Sequence, residues 1–434
     1  MRIVAALRKQ GFEAYFAGGC VRDELLGLHP TDFDIATSAT PNQVRNTFPG
    51  THHVGASFGV VLVPINAVNT LTKEPIKSHV EVATFRTEGP YSDKRRPDSV
   101  HFADAKADAQ RRDFTINALF LDPLKPGPNP LVDGSIIDYV NGQADLENRL
   151  LRAVGNPDDR LAEDHLRALR AVRFAARMAL AIDPATARAI RTHASELAGV
   201  SRERIGDELR RVLLHPTRAI AAALLTWLHL DKPTLGTDAQ PPSTTPDPDQ
   251  PDPDQPNPDQ PDPCRARQLS PALAGLPPML WPGATIAAPL AAWLLDRQAQ
   301  PDPRLAARTR ASLCLTNDEA EMLDAVLTCT ALLQQQWEKL GLAGRKRAAV
   351  RPGFVGAILA LRTLNPPLAA RIEGQIQHLA HQPPGLAPPP LLTGDQLIAQ
   401  GHKPGPQFKQ ILDAAYDAQL EGRPATPQTK PNKI

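Results

Sequence analysis

Apolar positions recur at helical spacing in Ile3–Lys9, then give way to short runs of strand character at Ala14–Ala17, Phe33–Ala36, Gly59–Ile65 and His79–Phe85, punctuated by Gly and Pro. Residues 1 to about 140 therefore predict a mixed α/β head. From Ala144 to about His229 the pattern turns helical, rich in Ala, Leu and Arg, and Pro271–Leu420 is helical again. Breaks fall at Pro277-Pro278, Pro366-Pro367 and Pro383–Pro390, because proline removes a backbone donor and cannot continue a helix. The expected class is α+β: a small mixed or antiparallel sheet with helices, followed by an all-helical neck, body and tail. The most apolar stretches, Ile220–Trp227 and Ala287–Leu295, are shorter than the ~18 residues a membrane span requires.

Between the two helical regions the periodicity stops. Thr237–Pro263 holds ten prolines and seven aspartates in a PDPDQ repeat, with no Lys, Arg or aromatic residue. Like charges and fixed proline φ angles favour an extended, solvated tether. The expected division is a head at 1–143, a neck at 144–236, a disordered linker at 237–263 and a helical tail at 264–434. This tether also changes the charge balance. The whole chain of 434 residues has 48 Lys+Arg against 47 Asp+Glu, but removing the seven tether aspartates leaves 48 basic against 40 acidic side chains. A net charge of +1 hides a basic protein, as expected of one that meets nucleic acid.

Cysteine usage narrows the class further. Cys20, Cys264, Cys314 and Cys329 show no CxxC spacing, which excludes a zinc finger and argues for a reducing compartment. The N-terminal MRIVAALRKQG does not read as a signal peptide, so a soluble, cytoplasmic protein is expected.

Candidate chemistry concentrates in the first half. Gly18-Gly19-Cys20-Val21-Arg22-Asp23 supplies a turn whose backbone N–H groups can approach a phosphate, with Arg22 adding charge. Nine residues on, Asp32-Phe33-Asp34 on a strand would project both carboxylates from one face, a hard-oxygen pair suited to Mg²⁺ completed by substrate phosphates. Glu81, in the alternating run His79–Phe85, would supply a third acid if its strand neighbours that of Asp34. Arg111 and Arg112 are planar cations for phosphate oxygens, and Asp113 and Asn117 would share a face if their segment is helical. Asp164, Arg167, Arg170 and Arg173 are spaced by three, with Arg177 four later, which predicts one helix face carrying an acid and several guanidinium groups. A carboxylate beside a guanidinium could read the edge of a base. His165 is expected at the surface, and Cys20 as a small packing residue.

Taken together, GGCVRD, TDFDIAT, VEVATFR, YSDKRRPDSVHF, RRDFTINAL, Asp133-Gly134, EDHLRALRAVRF and SRERIGDEL (Ser201–Leu209) resemble the class II nucleotidyltransferases of the tRNA CCA-adding and bacterial poly(A) polymerase family. The resemblance covers about residues 14–215. The tail adds Leu392–Asp395, Gly401–Pro406 and Gln419–Gly422, similar to the C-terminal signature of many bacterial CCA-adding enzymes.

The resemblance implies template-independent transfer of nucleotides from CTP and ATP to the 3′ end of tRNA. Asp32 and Asp34 would bind Mg²⁺, with Glu81 as the third catalytic acid. Gly18, Gly19, Arg22 and Arg112 would hold the triphosphate, and Asp113 and Asn117 would fix the ribose or brace the arginines. Asp164 and Arg167 would select the base, with Arg170 and Arg173 contacting base or phosphates. Val54–Val63 lacks the basic strand usual in the poly(A) polymerases, and the loop Arg86–Asp98 keeps Glu88, Asp93, Arg95 and Arg96, which favours full CCA addition. A-addition alone, poly(A) synthesis and a non-catalytic RNA-binding role are the competing readings. There is no GxxxxGK-type phosphate loop, which argues against a P-loop ATPase.

Overall fold

The computed structural model describes residues 1–30, 32–53, 59–68, 75–89, 99–129, 132–236, 271–277, 286–297, 304–399, 402 and 405–424. The PDPDQ tether and Cys264 lie outside them, as do Lys403 and most of the loop carrying Asp93, Arg95 and Arg96. The chain divides into two compact units. The first holds Met1–Glu208 and Leu224–Thr234; the second holds Leu209–Ala223 and the described residues after Arg267.

In the first unit, α1 (Arg2–Lys9) buries Ile3, Val4 and Leu7 along one face, and its last turn carries Arg8 and Lys9, favourable at the negative end of the helix dipole. The chain then forms β1 (Ala14–Ala17), α2 (Gly19–Leu25), β2 (Ile35–Thr37) and α3 (Pro41–Thr47). Helix α3 starts at a capping box in which the Thr40 side chain accepts from the Gln43 backbone N–H. Strands β3 (His52–His53), β4 (Val60–Val68) and β5 (Pro75–Thr84) follow. A side pair, β6 (Arg86–Glu88) with β7 (Val100–Phe102), is antiparallel. After α4 (Ala105–Gln110) come β8 (Phe120–Asp122) and β9 (Ser135–Ile137). The main sheet has the order β3-β4-β5-β2-β1-β8-β9.

Strand β2 lies at its centre, antiparallel to β1 and parallel to β5. Alternation along it sends Ile35 into a cluster with Leu7, Val44, Val61 and Val82, and Ala36 into one with Tyr15, Phe85 and Phe120. Both faces of the sheet are therefore covered, and the beginning of β2 is a fixed point from which chemistry can be presented.

The chain continues through α5 (Gly142–Glu147), α6 (Pro157–Glu163), α7 (Arg167–Met178), α8 (Pro184–Thr192) and α9 (Arg202–Leu213), the last of which passes from the first unit into the second after Glu208. The helical pattern of this region conceals two short strands, Leu150–Leu151 and Ala181–Ile182, which pair in parallel.

The second unit is helical, as its sequence pattern predicts. Helices Asn317–Gln336, Phe354–Leu364 and Pro366–His381 enclose Leu333, Trp337, Leu361 and Ile372, all nearly or fully inaccessible to solvent. The long Asn317 helix opens with a capping box between Thr316 and Glu319. Among the described residues no helix is long and apolar enough to cross a membrane.

Candidate active site

The site begins where β1 ends. Gly18 has φ +73°, a left-handed conformation that L side chains rarely adopt, and a Cβ there would come within 2.9 Å of Arg112 Nη1. Glycine at this position both turns the chain into α2 and leaves room for the arginine. The turn is tied to its neighbours by the Ala17 N–H donating to the Asp34 carbonyl and the Gly18 N–H to the Leu119 carbonyl, each at 3.0 Å. Cys20 is buried behind it, its Sγ 3.4 Å from the Ala17 carbonyl, in the packing role its size suggests. Burial raises the pKa of this thiol.

Asp32 and Asp34 do not lie on a strand. Strand β2 starts at Ile35, so both acids sit in the segment that leads into it. One step before the parallel Ile35–Val82 pair, Asp34 comes beside Glu81 of β5, so two of the three expected acids are neighbours. The Asp34 side chain reaches solvent, yet the surrounding protein desolvates it. That crowding, with the negative charge of Glu81, raises its pKa; Arg112 opposes the shift and Asp32 adds to it. Among the described residues no three His, Cys, Asp or Glu side chains converge in a metal-holding set. A desolvated carboxylate that lines a cleft, with Glu81 beside it, is a hard-oxygen donor suited to a divalent cation whose remaining ligands are substrate oxygens.

The arginines are held by buried acids. Asp108 of α4 accepts from Arg111 Nε and Nη2 at 2.9 and 2.7 Å through Oδ1, and from Arg112 Nε and Nη2 at 3.2 and 2.9 Å through Oδ2. Burial alone would raise the Asp108 pKa, but the two guanidinium charges outweigh it and the pKa falls. Arg112 also donates to the Asn117 carbonyl at 3.0 Å.

Asp113 and Asn117 meet, though not on an α-helix: Thr115–Asn117 is a single 3₁₀ turn, and Asn117 Nδ2 donates to Asp113 Oδ1 at 3.0 Å. The Asn117 Oδ1 accepts from Arg22 Nη1 at 2.5 Å. Asp113 Oδ2 accepts from Arg170 Nε and Nη2 at 3.0 and 2.7 Å. Burial again works against this carboxylate, and Arg170 with the local hydrogen bonds wins, pulling its pKa down to about 2.

Arg167, Arg170 and Arg173 share α7, as their spacing predicts, but Asp164 does not. Helix α6 ends at Glu163, Asp164 is extended, and α7 begins at Arg167. The carboxylate of Asp164 is fixed in that break by the Leu166 N–H at 3.1 Å and by Arg204 Nη2 at 2.5 Å. Arg167 pairs with Glu163 and donates to the Arg160 carbonyl at 2.6 Å. Arg173 Nε donates to Glu208 Oε2 at 2.7 Å. The expectation of a surface His165 is wrong: it is 2% exposed, with Nε2 3.0 Å from Glu196 Oε2, because the α6–α7 break turns it inward.

These groups line one cleft of about 500 Å³. It gathers Gly18, Gly19, Arg22, Asp34, Arg112, Asp113, Asn117, Asp164, Arg167, Arg170 and Arg173, and adds Arg111, Phe174 and Arg177. Asp32 and Glu81 are exposed and lie outside its lining. Sequence reasoning overlooked Asp108, Glu208 and Phe174 as parts of the site. Asp108 was accessible, since it stands three and four residues before the two arginines it grips on a helical turn. Glu208 and Phe174 reach their partners only through the tertiary fold.

Residues 14–152 match the family described as "Poly A polymerase head domain" and residues 179–233 the one described as "Probable RNA and SrmB- binding site of polymerase A". A CCA-adding enzyme of Limosilactobacillus fermentum is 41% identical over 241 residues, which are 55% of this chain and 56% of that protein. Over these segments the chain is similar to the tRNA nucleotidyltransferases and poly(A) polymerases. The CCA-adding enzyme of Geobacillus sp. (strain WCH70) is 40% identical over 54% of each chain. The chain thus matches about half the length of these curated relatives. The crystal structure of the Bacillus stearothermophilus CCA-adding enzyme in complex with CTP superposes on this chain with a TM-score of 0.70, at 27% identity, covering 97% of this chain and 92% of that one. The Thermotoga maritima CCA-adding enzyme complexed with tRNA shares the fold, with a TM-score of 0.63 at 18% identity over 97% and 90% of the two chains.

Proposed function

We propose that this chain adds C and A nucleotides to the 3′ end of tRNA without a template, using CTP and ATP and releasing pyrophosphate in the cytoplasm. The observation that carries this reading is the single cleft in which an acid beside the Gly18-Gly19 turn, an arginine cluster and an Asp–Arg pair come together. Asp32 and Asp34 would hold Mg²⁺, with Glu81 alongside. In a two-metal mechanism, one cation bound there would lower the pKa of the RNA 3′-hydroxyl and a second would balance charge on the departing pyrophosphate.

The backbone at Gly18 and Gly19, with Arg22 and Arg112, is suited to cradle the triphosphate. Asn117 braces Arg22 through its side chain and Arg112 through its carbonyl, so the two cations are set before a ligand arrives. Asp164, in the break before α7, offers acceptors, and Arg167, in its first turn, offers donors. Cytosine and adenine each present an exocyclic amine next to a ring-nitrogen acceptor, whereas uracil and guanine present a carbonyl next to an N–H. An acid and a guanidinium side by side therefore fit C and A and reject U and G. The division into head (1–143), neck (144–236), tether (237–263) and tail (264–434) accords with this reading, the tail serving tRNA.

The decisive experiment incubates the purified chain with tRNA lacking CCA, Mg²⁺ and labelled CTP or ATP. Incorporation of C and then A, ending at three nucleotides, is expected. ATP-only incorporation on tRNA ending in CC would reduce the activity to A addition, long A tails on unrelated RNA would make it a polymerase, and no incorporation would overturn the transferase reading.

A further inference from the structure

Phe174 of α7 is 6% exposed and lines the cleft, and three of the cleft's cations lean on its ring. The guanidinium carbons of Arg173, Arg22 and Arg170 lie 4.3, 5.0 and 5.2 Å from the ring centroid. The ring itself is fixed edge-on against Phe114, centroids 6.0 Å apart at 80°. Arg22 comes from α2 and the other two from α7, so a single side chain joins two distant segments of the sequence.

Three guanidinium groups around one point repel one another. Each has an acid at one edge: Asp23 for Arg22, Asp113 for Arg170 and Glu208 for Arg173. Further acids would hold the cations more firmly but would also take up the N–H groups a phosphate needs. An aromatic face attracts cations through its quadrupole without accepting those conventional hydrogen bonds. It can orient a guanidinium and leave the remaining donors for a ligand.

We infer that Phe174 is a positioning residue that sets the arginine array for the triphosphate shared by both nucleotides. The inference rests on the proposed reading of the cleft as a nucleotide site. It acts on affinity and not on base choice, because the side chains assigned to the base are held elsewhere. Asp164 is fixed by Arg204 and the Leu166 N–H, and Arg167 by Glu163 and the Arg160 carbonyl.

The test compares the full-length wild type with Phe174→Leu, Phe174→Met and Phe174→Tyr. It measures binding of inorganic tripolyphosphate and, separately, KM and kcat for CTP and ATP. Phe174→Leu is expected to raise both KM values by a similar factor of about ten, to weaken tripolyphosphate by a comparable factor and to leave the CTP-to-ATP preference unchanged. Phe174→Tyr keeps the ring and should restore most of the affinity. Phe174→Met keeps much of the volume without the ring and should behave like the leucine variant, which separates the ring's role from filling space if Phe174→Leu does not fold. Unchanged KM values in folded variants, a shift for one nucleotide only, or a tyrosine variant as weak as methionine would overturn the inference. If the wild type incorporates no nucleotide yet loses tripolyphosphate affinity in the methionine variant, the transferase reading fails and the role of Phe174 stands.

Discussion

The cleft and the helical second unit both contain ion pairs, but several of the second unit's lie in surroundings opposite to those of the cleft. Behind the cleft, two acids that hold its arginines are buried: Asp108 is 1% exposed and Glu208 3%, and each binds guanidinium groups that line a polar cavity. In the second unit, Arg371–Glu338 at 3.0 Å and Arg362–Glu373 at 2.7 Å are open to water, and stability rests on Leu333, Trp337, Leu361 and Ile372. Desolvating charges is costly, and a well-packed apolar core often does as well or better than a buried ion pair. The second unit takes that apolar solution. A cleft that crowds cations together, several of them supported by a desolvated acid, is arranged for an anion that has yet to arrive.

The comparison is broken most directly at Asp108. Asp108→Ala leaves Arg111 and Arg112 without their shared acceptor in a part-buried site, and should cost on the order of 3–5 kcal/mol of stability. Chemical denaturation monitored by circular dichroism reads this as a lower midpoint with an unchanged slope. The same change should weaken triphosphate binding, because Arg112 would lose the anchor that holds it under Gly18. A cost below about 1 kcal/mol would mean the buried pairs behave like surface ones.

How much of this was legible in the sequence follows from the range of the signals. The Gly18-Gly19 turn, the acid pair and the arginine spacing are local, and the fold brings most of them to one cavity. Local reasoning failed where the backbone changes state without a punctuating residue. Nothing in EDHLR marks the break after Glu163, so a row of residues spaced by three read as one helix and His165 read as exposed. Strands β8 and β9 are three residues each, too short for alternation to announce them. Glu208 looks like any acid on an amphipathic helix until α9 places it beside Arg173. The second unit was legible as helices between proline breaks, but its pattern specified burial and not chemistry.

His193 tests the ground between the extremes. Its ring bridges Glu196 at 2.8 Å and Asp158 at 3.1 Å near the surface of the first unit, with His165 close by at 6.3 Å between ring centroids. The hydrogen bond to Glu196 and the charge of both acids outweigh partial burial and raise its pKa. A pKa raised on folding gives stability that is complete below the unfolded value of about 6.5 and is lost as pH rises through the folded value. Replacing His193→Asn should therefore destabilise the protein most at pH 6, with the difference from wild type shrinking towards pH 9. A pH-independent difference in melting temperature would show that His193 contributes packing and not charge.

The smallest effect belongs to the second unit. Arg371 and Glu338 are each more than half exposed, so water screens their attraction and two long side chains lose freedom to meet. Arg371→Ala should change stability by no more than about 0–1 kcal/mol and respond to added salt in proportion. Measured at low and high ionic strength by the same denaturation assay, it provides the reference for Asp108→Ala, whose buried pairs salt can scarcely screen. If the two variants lost stability equally, burial would not be what separates the cleft from the helical unit, and the case for a preorganised anion site would rest on geometry alone.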